Sequence, residues 1–382
     1  MLNALALIAA IRAALFVPDP LPPLQARVHS QFRPDPTVAA ERVTYQTAYG
    51  LRVPAIVYRP QNPPAKKLPA LIVVNGHGGD KYAWYAFYSG IAYARLGMVV
   101  LTYDPIGEGE RNNLRKSGAR AHDKVQEPKE AMSRRMGGLM MTDVMQAVSY
   151  LAARPDVDPK RIAAAGYSMG SFVLGLACAA ETRLAACVLA GGGNLDGPGG
   201  HWDGSKVMCQ GGPYKALGFL GDRPAVLYAL HAERGATLVI NGRRDTVVNM
   251  PKTQEAFFED LGRRVAGLTG KPHFEYLFED DTSHRPYFVT KPAAEWLHRR
   301  LALPGWRASL PTTHIGEWAA ANGVLMDKLY ATEEREGGTA AIGTGVPSLG
   351  REALSVFSAG EWGSAKLNYV YEVWVDRARG GN

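Results

Sequence analysis

The strongest constraint in this chain is the join between two apolar runs. Ile162-Ala163-Ala164-Ala165 leads into Gly166-Tyr167-Ser168-Met169-Gly170, and then into Phe172-Val173-Leu174-Gly175-Leu176-Ala177. A short apolar run, a turn of small residues and a second apolar run predict a buried strand, a sharp turn carrying one serine, and a helix. Glycines on either side relieve crowding in a turn tight enough to lift the serine hydroxyl clear of the backbone. As a pentapeptide the pattern is common. Between a strand and a helix it marks Ser168 as a nucleophile, with a small residue at a helix start as the minor alternative.

The rest of the chain supplies that context. Strand-like runs at 70–74, 98–103, 161–166, 184–190, 236–240 and 274–278 alternate with helical patterns near 82–96, 139–153, 169–181, 251–262 and 291–301. Such alternation predicts an α/β fold, a mostly parallel sheet with helices on both faces. Ahead of it, residues 43–47 and 51–57 alternate around Tyr49-Gly50 and read as an antiparallel hairpin at the sheet edge, where Pro54 is tolerated.

Sheets of this kind bind ligands at the carboxyl ends of their strands, and three chemistry-bearing groups fall there. Ser168 follows one strand, Asp245 follows the run 236–240, and His284 sits in the loop after 274–278. Serine, acid, histidine is a known catalytic chain order. A serine hydroxyl is a poor nucleophile at neutral pH, so His284 is expected to take its proton, while Asp245 fixes the imidazole tautomer. Asp280 and Asp281 lie nearer His284 in sequence and compete for the acid role, and His273 and His314 compete with His284. Asp245 is preferred because it follows a strand, and His284 because it alone occupies a loop after the last one. The buried run 71–74 empties into Asn75-Gly76-His77-Gly78-Gly79-Asp80. The N–H of His77 or Gly78, paired with that of Met169, is expected to form an oxyanion hole, in which each donor is worth about 10²- to 10³-fold in rate.

NGHGG at 75–79, GYSMG at 166–170, GRRD at 242–245 and the loop histidine at 284 resemble the α/β-hydrolase superfamily over residues 41–302. The hairpin before NGHGG, YDPIGEGER at 103–111 and RPDVDPKRI at 154–162 are similar to its acetyl xylan esterase and dienelactone hydrolase branch; Asn75 stands where many relatives carry histidine. The resemblance implies the α/β-hydrolase fold, an acyl-enzyme on Ser168, a small-molecule or carbohydrate ester as substrate, and an extracytoplasmic enzyme. An oligopeptidase-type serine peptidase shares the architecture and is the second reading. Such enzymes commonly carry a propeller ahead of the hydrolase domain, whereas residues 1–40 precede it here. A noncatalytic scaffold of this fold would have no need of serine, acid and histidine together.

A chain of 382 residues with 46% hydrophobic and 21% charged residues holds one large globular domain with additions. A net charge of +7 is mild at this length, and no dense Lys/Arg stripe with interleaved aromatics occurs, which excludes nucleic acid as a partner. The stretch from Arg111 to Arg135 mixes bases with Glu110, Asp123, Glu127 and Glu130 and reads as a solvated surface. Three cysteines make no disulfide framework, and Cys178 and Cys187 read as small buried hydrophobes. No paired Cys/His spacing is present, and His201 and Asp203 beside Trp202 do not define a site, so neither cofactor nor metal is expected.

Residues 1–17 are apolar but too short, and too interrupted by Arg12, to span a bilayer; a signal remnant or a packed amphipathic helix are the alternatives. With the proline-rich connector from Pro18 to Pro23 they form an N-terminal segment, 1–40. The connections 105–136 and 191–234 exceed ordinary βα loops and are expected to wall the pocket. Trp202 and Tyr214 in the second are candidates to stack on substrate, with packing of the insertion an equal alternative. Residues 303–382 are expected to be an ordered appendage on the domain, with the alternating run from Leu367 to Val375 forming one more strand.

Overall fold

The structure is a computed structural model, and it describes residues 3–118, 122, 128–198, 208–280, 283–307, 346 and 349–380. Nine strands form one sheet: β1 Arg27–Asp35, β2 Val38–Gln46, β3 Arg52–Pro60, β4 Leu68–Val74, β5 Val99–Tyr103, β6 Val157–Tyr167, β7 Leu184–Ala190, β8 Ala236–Gly242 and β9 Phe274–Glu279. Their spatial order is β1-β2-β3-β5-β4-β6-β7-β8-β9. The first three strands and the β3–β5 pair are antiparallel, and the ladder from β5 through β9 is parallel. This is the α/β-hydrolase fold.

Strand periodicity builds two cores. Along β4, Leu68, Ala70, Ile72 and Val74 face one layer, and Leu71 and Val73 face the other. The first layer is covered by α1 Ala4–Ala14, α3 Lys129–Ala152, α4 Met169–Ala180, α5 Met208–Ala216, α6 Arg223–Ala232 and α7 Met250–Thr269. The second is covered by α2 Trp84–Arg95 and α8 Lys291–Leu301. Because helices bury both faces, the central strands are apolar on both sides, which is why they read as continuous apolar runs in the sequence.

Several expectations need correction. The hairpin is not at the sheet edge: β1, a polar strand, lies outside β2, and β3 is interior. Pro54 is accommodated because the β3–β5 ladder runs only over Ala55–Tyr58, one residue beyond it. The segment 191–234 is not chiefly a wall, since α6 is the ordinary crossover between β7 and β8 and α5 packs against α3. The run from Leu367 to Val375 forms no strand. A short helix, α9 Ala359–Ala365, is followed by a 3-10 turn and by α10 Tyr371–Arg379. Tyr371, Trp374 and Ala378 make the buried stripe of α10, a helical spacing that local alternation masked. Cys178 and Cys187 are bonded to each other, joining α4 to β7, rather than standing as separate hydrophobes. Residues 1–17 contribute α1, whose Ile8 and Ile11 are buried in the first core, and among the described residues no helix is long and apolar enough to cross a membrane.

Candidate active site

Ser168 lies between β6 and α4 with φ 55° and ψ −114°, a strained conformation for a residue with a side chain. Its N–H donates to Ala190 O on β7 at 2.9 Å, which holds the turn to the sheet. The flanking glycines are required by contact: a Cβ on Gly166 would lie 2.4 Å from Gly170 O, and one on Gly170 would lie 2.1 Å from Val74 O. The first turn of α4 is thereby pressed onto the end of β4, where the loop 75–80 begins.

Asp245 follows β8 and is fully buried, as is the ring of His284 after β9. His284 Nδ1 lies 2.7 Å from Asp245 Oδ2. A carboxylate only accepts, so Nδ1 carries the proton and donates, leaving Nε2 with its lone pair. The other carboxylate oxygen, Oδ1, accepts from the N–H groups of Val247 and Val248 at 3.0 and 3.2 Å. These bonds orient the carboxylate independently of the histidine. Asp280, one of the two rivals, is exposed and bound to Arg243, while Asp281 and His314 lie outside the described residues. His273 is directed to Ala232 O at 3.0 Å, away from this pair.

The imidazole is seated from two further sides. The Tyr167 ring packs 4.9 Å from it, and the Tyr167 hydroxyl donates to His284 O at 3.0 Å. Gly191, at φ +63°, passes so close that a Cβ there would sit 2.8 Å from His284 Cε1. Sequence reading left Tyr167 and Gly191 unassigned. The signal for the first is its place beside the serine in the turn; the second carries none, since only the fold brings β7 under β9's loop.

The loop 75–80 is braced by a set of buried polar contacts. Asn75 Nδ2 donates to Tyr103 O at 2.9 Å, so the asparagine itself ties β4's end to β5's. Gly78 N–H donates to Glu108 Oε1 at 3.1 Å. Gly78, one of the two expected partners of Met169, is therefore already engaged by a carboxylate. Asp104 accepts from Lys81 N–H, Lys81 Nζ and Glu110 N–H at 3.1, 2.5 and 2.8 Å. Glu110 in turn meets Lys81 Nζ at 2.8 Å and accepts from the N–H groups of Val356 and Phe357, and Asp80 binds Arg351 at 2.5 Å. Arg351, Val356 and Phe357 thus tie the carboxyl-terminal residues to Asp80 of this loop and to Glu110. Burial, with Asp80 and Glu110 nearby, raises the pKa of Asp104 against the pull of Lys81. Arg111 is fully buried on Asp143, so this end of the basic stretch is interior rather than solvated.

Tyr214 is fully buried, with its ring against Phe172 and the Arg223 guanidinium 4.1 Å over its face. It therefore offers no face to a substrate, and the packing alternative holds for it. Trp202 lies outside the described residues. One grouping was invisible in the sequence: His77 and His122 from two connections and Cys209 from the start of α5 meet, with His77 Nε2 3.2 Å from Cys209 Sγ.

The chain is similar in structure to a methylesterase named BT1017, at 20% identity and TM-score 0.62 over all of this chain and 74% of that one. It is also similar to acetyl xylan esterase 1 from Thermoanaerobacterium sp. JW/SL YS485, at 16% identity and TM-score 0.52 over 79% and 94% of the two chains. A third likeness is to a glucuronoyl esterase from Solibacter usitatus, at 14% identity and TM-score 0.54 over 80% and 92%. Identities this low speak to the fold. YtaP of Bacillus subtilis (strain 168), named as a hydrolase, is 31% identical over 93 residues, 24% of this chain, and the match spans only 29% of YtaP's own length. The prolyl oligopeptidase family profile matches residues 84–303, more than half of the chain and the part that carries Ser168, Asp245 and His284. This protein belongs to the prolyl oligopeptidase family, within the α/β-hydrolase superfamily.

Proposed function

We propose that this protein is a serine carboxylic-ester hydrolase acting on small acyl esters, acetylated carbohydrate among them, through an acyl-enzyme on Ser168. The observation that carries the reading is the buried Asp245–His284 contact of 2.7 Å, at the same carboxyl edge of the sheet as a serine held at φ 55° between β6 and α4. In this reading Ser168 Oγ attacks the ester carbonyl and His284 Nε2 takes its proton. The N–H groups of Met169 and His77 receive the developing oxyanion. Collapse expels the alcohol with the proton from His284, and water then repeats the sequence to release the acid. Asp245 stays ionised throughout and stabilises the imidazolium.

Membership of a family named for oligopeptidases favours a second reading, amide hydrolysis, by the same residues. The triad attacks either bond, so preference must come from the pocket walls. The names of the structural neighbours, methylesterase, acetyl xylan esterase and glucuronoyl esterase, support the ester class. A panel of p-nitrophenyl esters of increasing length, run beside acetylated xylan and a peptide amide, separates the readings. Acetyl and propionyl esters should be cleaved fastest, with a steep fall beyond about six acyl carbons and negligible amide cleavage. A fluorophosphonate should add one label, at Ser168, that Ser168→Ala loses together with turnover. Preference for long acyl chains, efficient amide cleavage or labelling of another serine would each overturn the assignment.

A further inference from the structure

We infer that His77, His122 and Cys209 form a binding site for a borderline-soft divalent cation of the Zn²⁺ class, which staples the oxyanion loop to both insertions. Each residue offers one ligand atom, and the three atoms lie within 4.8 Å of one another. His77 Nε2 and Cys209 Sγ are already 3.2 Å apart. In a tetrahedral zinc centre, with Zn–N of about 2.0–2.1 Å and Zn–S of about 2.3 Å, neighbouring ligand atoms stand roughly 3.5 Å apart. One pair thus has its spacing, and the third ligand closes by about 1 Å.

The surroundings fit such a site. His122 and Cys209 are buried and His77 is half-buried, so the ligands do not lie on open surface. The His77 and His122 rings stack at 5.2 Å with 8° between their planes. The backbone of His122 is itself fixed, its carbonyl accepting from the Tyr371 hydroxyl on α10 at 3.2 Å. Two imidazoles and a thiolate select zinc-like cations over magnesium or calcium, which take oxygen ligands. Three protein ligands leave a fourth position for water or a ligand, the pattern of an open zinc centre. The residues come from the loop after β4, the connection after β5 and the start of α5, and Gly76, next to His77, packs against Ser168. A cation here would hold three walls of the candidate active site in one arrangement.

The test uses the full chain, stripped with a chelator and kept without reductant so that Cys178–Cys187 stays bonded. Titration with Co²⁺ should give a thiolate-to-cobalt charge-transfer band that saturates at one ion per chain. Cys209→Ser should abolish the band, and His77→Gln and His122→Gln should each weaken binding by about tenfold or more, as loss of a direct ligand costs at least what loss of its supporting partner does. Zn²⁺ should raise the melting temperature of the unsubstituted protein and not that of Cys209→Ser. If Cys209→Ser fails to fold, the half-buried His77→Gln decides the matter by the same titration. Absence of the band, or its persistence in Cys209→Ser, overturns the site.

Discussion

Asp245 and Asp280 show how a residue's role depends on what holds it. Asp245 Oδ1 is committed to two backbone N–H groups, so its remaining oxygen has one direction in which to accept, towards His284. Asp280, though only four residues from the histidine, is spent on Arg243 at the surface. Asp245→Asn should therefore lower kcat by about 10⁴-fold, because the N–H groups of Val247 and Val248 keep the amide oxygen, so the NH2 group faces Nδ1 and selects the wrong tautomer. Asp280→Asn should change kcat less than about threefold, since an exposed ion pair contributes little. Steady-state kinetics on an acetyl ester checks both, and the reverse ranking would transfer the acid role to Asp280.

At the scale of elements, the carboxyl-terminal helices are the part that sequence periodicity misread and packing explains. Tyr371, Trp374 and Ala378 share one face of α10, with Trp374 fully buried and its ring 5.5 Å from Tyr371 and 6.3 Å from Tyr49. Arg377 ties the same helix to Tyr49 O at 2.9 Å. α10 is thus an extension of the first core, while Leu354 packs on the second. Trp374→Ala should cost about 3–5 kcal/mol, the usual toll of emptying an aromatic site in a packed interior. Chemical denaturation followed by circular dichroism measures it, and a loss below about 1 kcal/mol would mean that α10 docks only loosely.

For the molecule as a whole, acid stability reports on one buried group that the chemistry does not use. His231 sits between α6 and the sheet, with Nδ1 2.8 Å from Thr237 Oγ1 and Nε2 3.3 Å from Leu184 O. Burial, helped by Arg234, lowers its pKa from 6.5 to about 4. A base depressed in the folded state binds its proton more readily when unfolded, so its contribution is complete above pH 6.5 and is lost as pH falls towards 4. Across that window the difference in unfolding free energy between the natural protein and His231→Gln should change by about 3 kcal/mol. Asp104, raised by burial, works in the opposite sense, its contribution shrinking as pH rises, but it is common to both proteins and cancels. Parallel slopes for the two proteins between pH 6.5 and 4 would remove His231 from the account.

The sequence by itself determined the parallel sheet, the strands β2 to β9 with helices α2, α3, α4, α7 and α8, and the positions of Ser168, Asp245 and His284 at the strand ends, because each rests on local pattern: apolar runs, breakers and the turn that a serine between glycines requires. The interior place of β3, the helical state of residues 371–379, the Cys178–Cys187 bond, the clamp of Glu108 on Gly78 and the meeting of His77, His122 and Cys209 were decided only by the tertiary structure. Each of these depends on which distant segments become neighbours. That is fixed by how the two apolar faces of one sheet are covered, and not by the local pattern around each position.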